Sequence, residues 1–416
     1  MSDTSQIRTE FLRPLPSTHP MLDAVKSDAD DLYSEIVAFR RTLHRRPELS
    51  GEEHETARRV AERLTALGLD VRTGVHDTGV VGTLHGGRPG PTLLLRADMD
   101  ALPIQEETGL DCASEHEGVM HACGHDLHTS SLLGTAMILA RHREEVHGQV
   151  RFCFQPHEER IPGGAKFMID EGMLDETGDT PAPEAAFGQH VKPSLPPGTL
   201  GIRAGGFMAS ADEVFVTVEG EGGHAANPHE AVDPTYVASE IVGGLQSLIS
   251  RRCPPGVPSV LTIGRLVADG ATNVIPETAR LEGTFRAMDE EWRFRAHALF
   301  RQLVHRTAEA HGATAEVEVR EGYPALHNHE TPTTLVQEAA REYVGPERTV
   351  EADRWFAGED FAYFLRECPG TFYQLGVGSE HGLHTSRFNP DEEALRTGTG
   401  FMAYLAWRYG REHAQD

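Results

Sequence analysis

A change of rhythm in the middle of the chain limits the folds open to it more than any other feature. Before it, short β-like runs alternate with helical patterns: Gly79–Leu84, Thr92–Arg96, a helix over Thr129–His142, then Val150–Phe154 and Ala185–His190. After Tyr323 the alternation resumes, with helices over Pro332–Tyr343, Glu359–Glu367 and Asp391–Tyr409 and a strand over Thr371–Val377. Strands alternating with helices predict a doubly wound α/β sheet. The middle is different. A strand over Glu213–Glu219 alternates Val214, Val216 and Val218 on one face, and a helix over Pro234–Ser250 follows. Strands Val260–Val267 and Arg280–Arg286, a helix over Glu291–Gly312 and a strand over Ala315–Arg320 complete the block. That β-α-β-β-α-β order is a split βαβ, ferredoxin-like unit. The expected architecture is therefore a doubly wound domain, 28–205 and 322–416, with a small α+β domain inserted at 206–321. Residues 1–27 are expected to form an N-terminal arm, because the helical spacing of Leu32, Ile36, Phe39 and Leu43 starts near Asp28.

Two compact units also suit a chain of 416 residues. Its formal charge of −26, from 38 basic and 64 acidic residues, offers no concentrated basic surface for a nucleic acid. No apolar run is long enough to span a membrane, and the first 25 residues hold no apolar stretch like that of a secretory signal. Five scattered cysteines suit a reducing compartment better than a disulfide framework. These features predict a cytoplasmic protein. Only three lysines occur, Lys26, Lys166 and Lys192. Arginine-favouring codons would explain the missing lysine but not the surplus acid, whereas a hypersaline cytoplasm explains the acid as a hydrated, soluble surface.

Chemistry is concentrated in a few short segments. Met120-His121-Ala122-Cys123-Gly124-His125-Asp126-Leu127-His128 places three histidines and a cysteine before a helix, where a glycine turn can aim a thiolate and an imidazole at one point. Gln155-Pro156-His157-Glu158-Glu159 leaves a strand, so adjacent glutamates point apart and can divide their work, one on a metal and one facing water. Alone, that pair could be an acidic turn. Gly188-Gln189-His190, Gly382-Leu383-His384 and Arg96-Ala97-Asp98-Met99-Asp100 also follow strands. Ligands of open α/β sheets gather at the carboxyl ends of strands, and a carboxylate there can fix the tautomer of a ligating imidazole. The convergence of these segments on one sheet edge is what favours a metal site over a set of surface groups.

Together these residues resemble the aminoacylase/carboxypeptidase-type dinuclear metallohydrolases, in particular the branch of hippurate and indoleacetyl-amino-acid hydrolases. The resemblance runs from about Asp31 to the C-terminus and includes Gly222-Gly223-His224-Ala225-Ala226-Asn227-Pro228-His229, Thr272-Asn273-Val274-Ile275-Pro276, Gly283-Thr284-Phe285-Arg286 and Gly358-Glu359-Asp360-Phe361. It implies two divalent cations per subunit (Mn, Zn, Co or Ni), with Cys123 bridging them and His125, Glu159, His190 and His384 as the other ligands. Glu158 would be the general base that activates water and hands the proton to the leaving amine, and Asp98 the aspartate that orients the site. The inserted domain would act as a lid and dimerisation domain. His224 would stabilise the developing oxyanion, and Asn273 and Arg286 would bind the substrate, although Arg286 on its strand could equally be solvated or salt-bridged. The implied activity is hydrolysis of N-acyl amino acids by a homodimer, with a dipeptidase, an N-acetyl-diaminopimelate deacetylase or an inactive metal-binding relative as alternatives. One departure stands out: Arg160-Ile161-Pro162 occupies a stretch that is small and glycine-rich in that branch.

Overall fold

The computed structural model describes residues 19–414. Its larger sheet has eight strands in the order Asp70–Val75, Gly79–His85, His147–Gln155, Arg88–Asp98, Ala185–Lys192, Gly370–Gly376, Leu200–Ile202, Thr349–Glu351. Arg88–Asp98 pairs in parallel with both neighbours, and Ala185–Lys192 pairs in parallel with Gly370–Gly376. The hairpin Asp70–Val75/Gly79–His85 extends one side antiparallel, so the sheet is mixed around a parallel centre. The central strands are buried on both faces, as parallel strands covered by helices must be. Leu93 and Leu95 pack into the cluster formed with helices Pro20–Arg45, His125–Arg141 and Ala394–Glu412, while Leu94 between them joins Phe361, Phe364 and Phe372 on the opposite face. Phe152, Phe154 and Phe187 are fully buried in the first cluster, each contributing on the order of 2–3 kcal/mol through area removed from water.

Two expectations need correction. The first helix begins at Pro20, not near Asp28: Met21, Leu22 and Val25 are buried on its inner face, and Pro20 occupies a position where a missing N–H costs nothing. Of the expected arm, residues 1–18 lie outside the described residues. The helix expected over Glu359–Glu367 covers only Ala362–Glu367, because the Glu359 and Asp360 side chains are used in a buried network instead of on a helix surface.

The second sheet is four antiparallel strands in the order Ser259–Val267, Thr278–Ala287, Asp212–Glu219, Thr314–Arg320. Helices Pro234–Ser247 and Glu290–Ala310 cover one face, where Val214, Val216 and Val218 meet Ile241, Leu245, Trp292 and Phe300. This is the ferredoxin-like arrangement inserted into the doubly wound domain. Where the chain crosses between the two units, the Ala211 N–H donates to the Tyr323 carbonyl at 2.9 Å. Buried Asp212 fastens the crossing, accepting from Arg293, from His297 at 2.8 Å and from the Gly322 N–H at 3.1 Å.

Candidate metal centre and active site

Gly124 sets the local geometry at the centre of the site. It takes the left-handed conformation, φ 85°, as the N-cap of helix His125–Arg141. A residue without Cβ makes that turn at little cost, so the helix starts four residues earlier than the apolar spacing suggests. Cys123 is thereby left just before the first turn and His125 in it. Cys123 Sγ lies 3.5 Å from His190 Nε2 and 3.3 Å from His384 Nε2. His384 Nε2 is 3.2 Å from Glu159 Oε1, which is 3.8 Å from His125 Nε2. The five sequence-derived ligand candidates thus form one cluster, drawn from the ends of two strands, the Gly124 turn and the loop after Gly370–Gly376.

The outer nitrogens of two of these imidazoles are occupied. His190 Nδ1 donates to the Val191 carbonyl at 2.8 Å, and His125 Nδ1 to Asp100 at 3.1 Å. His384 is the most exposed member, held by its backbone N–H on the Ala122 carbonyl at 2.9 Å. Inward, His125 Nε2 and Glu159 Oε1 are buried with no hydrogen-bond partner. Orphaned buried acceptors of this kind are costly unless something binds them. With a thiol, three imidazoles and a carboxylate around one space, the donor set fits divalent transition metals.

His125 donates its Nδ1 hydrogen bond to Asp100, not to Asp98. Asp100 also accepts from Ser50 at 2.6 Å and from the Glu159 N–H at 2.9 Å, so one carboxylate braces two candidate ligands. Asp98 turns instead to His128 at 2.6 Å and to Arg96 at 2.6 Å, and His128 in turn accepts the Val191 N–H at 2.9 Å. Burial works to raise the Asp98 carboxyl, but Arg96, His125 and His128 hold it well below the usual range. It also stands 3.8 Å from His125 Nε2, so it lies against the centre as well as bracing His128 and Arg96. The sequence signal for Asp100 was its place two residues on, on the same face as Asp98.

Glu158 is buried beside the cluster, its carboxylate 4.0 Å from His125 Nε2. Burial pushes its carboxyl well above the usual range, and Glu359, Glu159, Asp360 and Asp98 add to that. Its backbone carbonyl accepts a hydrogen bond from the Tyr323 hydroxyl. A cavity of about 680 Å³ opens above, lined by Cys123, Glu158, Glu159, His190 and His384 and also by Ile161, Lys192, Trp355 and Arg286. Arg286 is half-buried and donates only to Thr284 Oγ1, at 3.1 Å, with no carboxylate in reach among the described residues. His224 and Asn273 are not in that cavity. They sit exposed on a small two-stranded extension of the inserted domain, Gly223–His224 with Val274–Ile275.

A doubly wound domain with this donor cluster at its strand ends, and a ferredoxin-like insertion, defines a two-domain metallohydrolase. Residues 94–408 match the profile of peptidase family M20/M25/M40, and the chain belongs to that family. It is 39% identical over 377 residues to the N-acetyl-L-cysteine deacetylase of Bacillus subtilis, spanning 91% of this chain and 88% of that one. It is 36% identical to thermostable carboxypeptidase 1 of Saccharolobus solfataricus, over 94% of this chain and 100% of the relative. A dinuclear metal-binding M20 peptidase from Bacillus subtilis superposes with a TM-score of 0.81 at 36% identity, covering 92% of this chain and 99% of that one. The protein is thus a hydrolase of a family whose solved members include dinuclear metal enzymes. Among the described residues, no helix is long and apolar enough to cross a membrane.

Proposed function

We propose that the protein hydrolyses the amide bond of N-acyl amino acids, using two divalent cations held by Cys123, His125, Glu159, His190 and His384. The observation that carries this reading is the orphaned inward nitrogen of His125, within 4.0 Å of both Glu159 and Glu158 and beneath a cavity whose other wall holds the unpaired guanidinium of Arg286. Cations in such a site polarise the amide carbonyl and lower the pKa of water. Glu158, in the cavity lining with its carboxylate 4.0 Å from His125 Nε2, is placed to accept a proton from the attacking water and deliver it to the departing amine. Arg286 suits the α-carboxylate through its planar fork of donors. The deacetylase among the relatives supports an acyl amino acid over a larger peptide. A dipeptidase or an N-acetyl-diaminopimelate deacetylase would use the same centre and differ only in the cavity. Thiolate and imidazole suit manganese, zinc, cobalt or nickel, with availability deciding among them.

His224 and Asn273 lie away from their own cavity, which suits a role in a partner's site. The inserted domain ends in the edge strand Ser259–Val267, where Val260 and Leu266 are exposed, and Val274 is exposed beside His224. An uncovered apolar edge of this kind suits pairing with a second copy across a two-fold axis. We therefore propose a homodimer in which His224 donates to the partner's developing oxyanion.

Metal-reconstituted enzyme assayed against hippurate, N-acetyl and indoleacetyl amino acids tests the activity. Glu158→Gln should keep both metals and lose about a hundredfold or more in turnover. Near-normal turnover in the metal-replete variant would remove Glu158 from the role of base. Mixing His224→Ala with Glu158→Gln tests the assembly. Activity should return only if His224 acts across the interface, since one hybrid site then has both residues intact.

A further inference from the structure

Lys192 is one of three lysines in a chain of formal charge −26, and it lies in the cavity wall. Of the other two, Lys166 pairs with Asp170 at 2.5 Å on the surface, and Lys26 lies over the Tyr343 ring outside this cavity. Lys192 stands two residues beyond His190, with its Nζ 4.4 Å from the centroid of the Trp355 ring. No carboxylate lies within salt-bridge distance of it among the described residues; exposed Asp353 is the acid whose field reaches it. Lys192 is half-buried, so the fold holds a lysine side chain in the cavity wall without an anion beside it. A cation kept there unpaired costs desolvation that a bound anion would offset. Arg286 is in the same position on the opposite unit: half-buried, in the cavity, with Thr284 as its hydrogen-bond acceptor. One cation therefore reaches the cavity from each of the two sheets.

We infer that the substrate carries two negative groups, an α-carboxylate met by Arg286 and a second carboxylate met by Lys192 beside Trp355. The inference rests on the N-acyl amino acid reading and narrows it to dianionic members of that class. The second carboxylate can come from the acyl chain or from the amino-acid side chain, and both present the same chemistry to Lys192. One anion would be satisfied by Arg286 alone, so the second cation is what calls for the second charge.

Two matched substrate pairs separate these sources. N-succinyl-leucine against N-butanoyl-leucine changes only the end of the acyl chain, and N-acetylglutamate against N-acetylglutamine only the side chain. In at least one pair, kcat/KM of wild-type enzyme should favour the charged member by about tenfold or more, mostly through KM, as expected for a charge-assisted contact made before the transition state. Lys192→Met should reduce that preference about tenfold, and Lys192→Arg should restore part of it. No preference for charge in either pair, or a preference that survives in Lys192→Met, would overturn the inference. If none of these compounds is hydrolysed, and hippurate and indoleacetyl amino acids are not hydrolysed either, the N-acyl amino acid reading fails by itself. Calorimetric binding of the same four compounds to wild-type and Lys192→Met protein still decides the role of Lys192, with a lysine-dependent preference for the charged compound supporting it and equal binding overturning it.

Discussion

Gly124→Ala should cost far more than a glycine-to-alanine change in a turn ordinarily does. At φ 85° the new residue is held in the left-handed region, at a cost of roughly 1–2 kcal/mol. Its Cβ would also fall 2.6 Å from Val191 Cγ2 and 3.6 Å from Phe388. Val191 is fully buried and β-branched, so it cannot swing aside, and overpacking of this kind adds about 1–3 kcal/mol. The sum is about 2–5 kcal/mol, a large part of the ~5–15 kcal/mol that holds a typical domain together. The strain also falls between two ligands, because Val191 follows His190 and Gly124 lies between Cys123 and His125. Gly109→Ala is the internal control. Gly109 has φ 69° with nothing within 4 Å of its Cβ position, so it should lose only the ~1–2 kcal/mol of backbone strain. Urea denaturation of the two variants beside wild type measures the difference, and elemental analysis after dialysis measures bound metal. Equal losses in the two variants, with metal content unchanged, would refute the reasoning.

Asp100→Asn should weaken metal binding by about 10- to 100-fold through His125 and the Glu159 backbone, measured by competition with a chelator, whereas a variant that binds metal normally would return the supporting role to another group. Cys123→Ser should lower metal content, activity and melting temperature together, and two tightly held metals in an active serine variant would contradict a bridging thiolate. Burial, with Asp100 nearby, raises buried Glu53 to about 7. Its folded value lies above the unfolded one, so it lends stability at low pH that is lost as pH rises from about 4.5 through 7, by about 3 kcal/mol at most. Glu53→Gln should flatten that part of the pH–stability curve, and an unchanged slope would show the loss to arise elsewhere. Activity and folding should both rise as salt approaches molar concentration, where self-repulsion among surplus carboxylates is screened; full stability in dilute buffer would leave codon usage as the reason for the scarce lysine.

Much of the site could be read from residue order because its members sit where strands end, and strand ends are what apolar runs mark best. Glu158, Glu159 and His190 end or follow such a run and His384 lies in the loop after one, whereas Cys123 and His125 were marked by the Cys-Gly-His turn before a helix. The choice between Asp98 and Asp100 was not legible. Residues i and i+2 of an extended segment share a face, and only the path of the chain beyond Asp98 decides which carboxylate meets His125. The start of the first helix was written in Met21, Leu22 and Val25 but hidden by the prolines and polar residues around them. The short strands Leu200–Ile202 and Thr349–Glu351 gave no signal, since three residues show no alternation and their pairing depends on a distant partner. For the inserted block, Val214, Val216 and Val218 announced one buried face directly. The exposure of His224 and Asn273 followed instead from a loop pairing, His224 with Val274, that no local pattern encodes.

The hydroxyl of Tyr323 bears on how the inserted unit could be exchanged. Strand pairing alone would put the seams at Asp212 and Arg320, and a chimera cut there would look complete. Yet Tyr323 lies just outside the second seam, returns a backbone bond to Ala211 and holds the carbonyl of Glu158. A transplanted insertion carries its own Arg286 but meets whatever residue the recipient has at this joint. The transferable cassette is therefore larger than the folded unit, and it must include the tyrosine that ties the joint to the backbone of the proposed base.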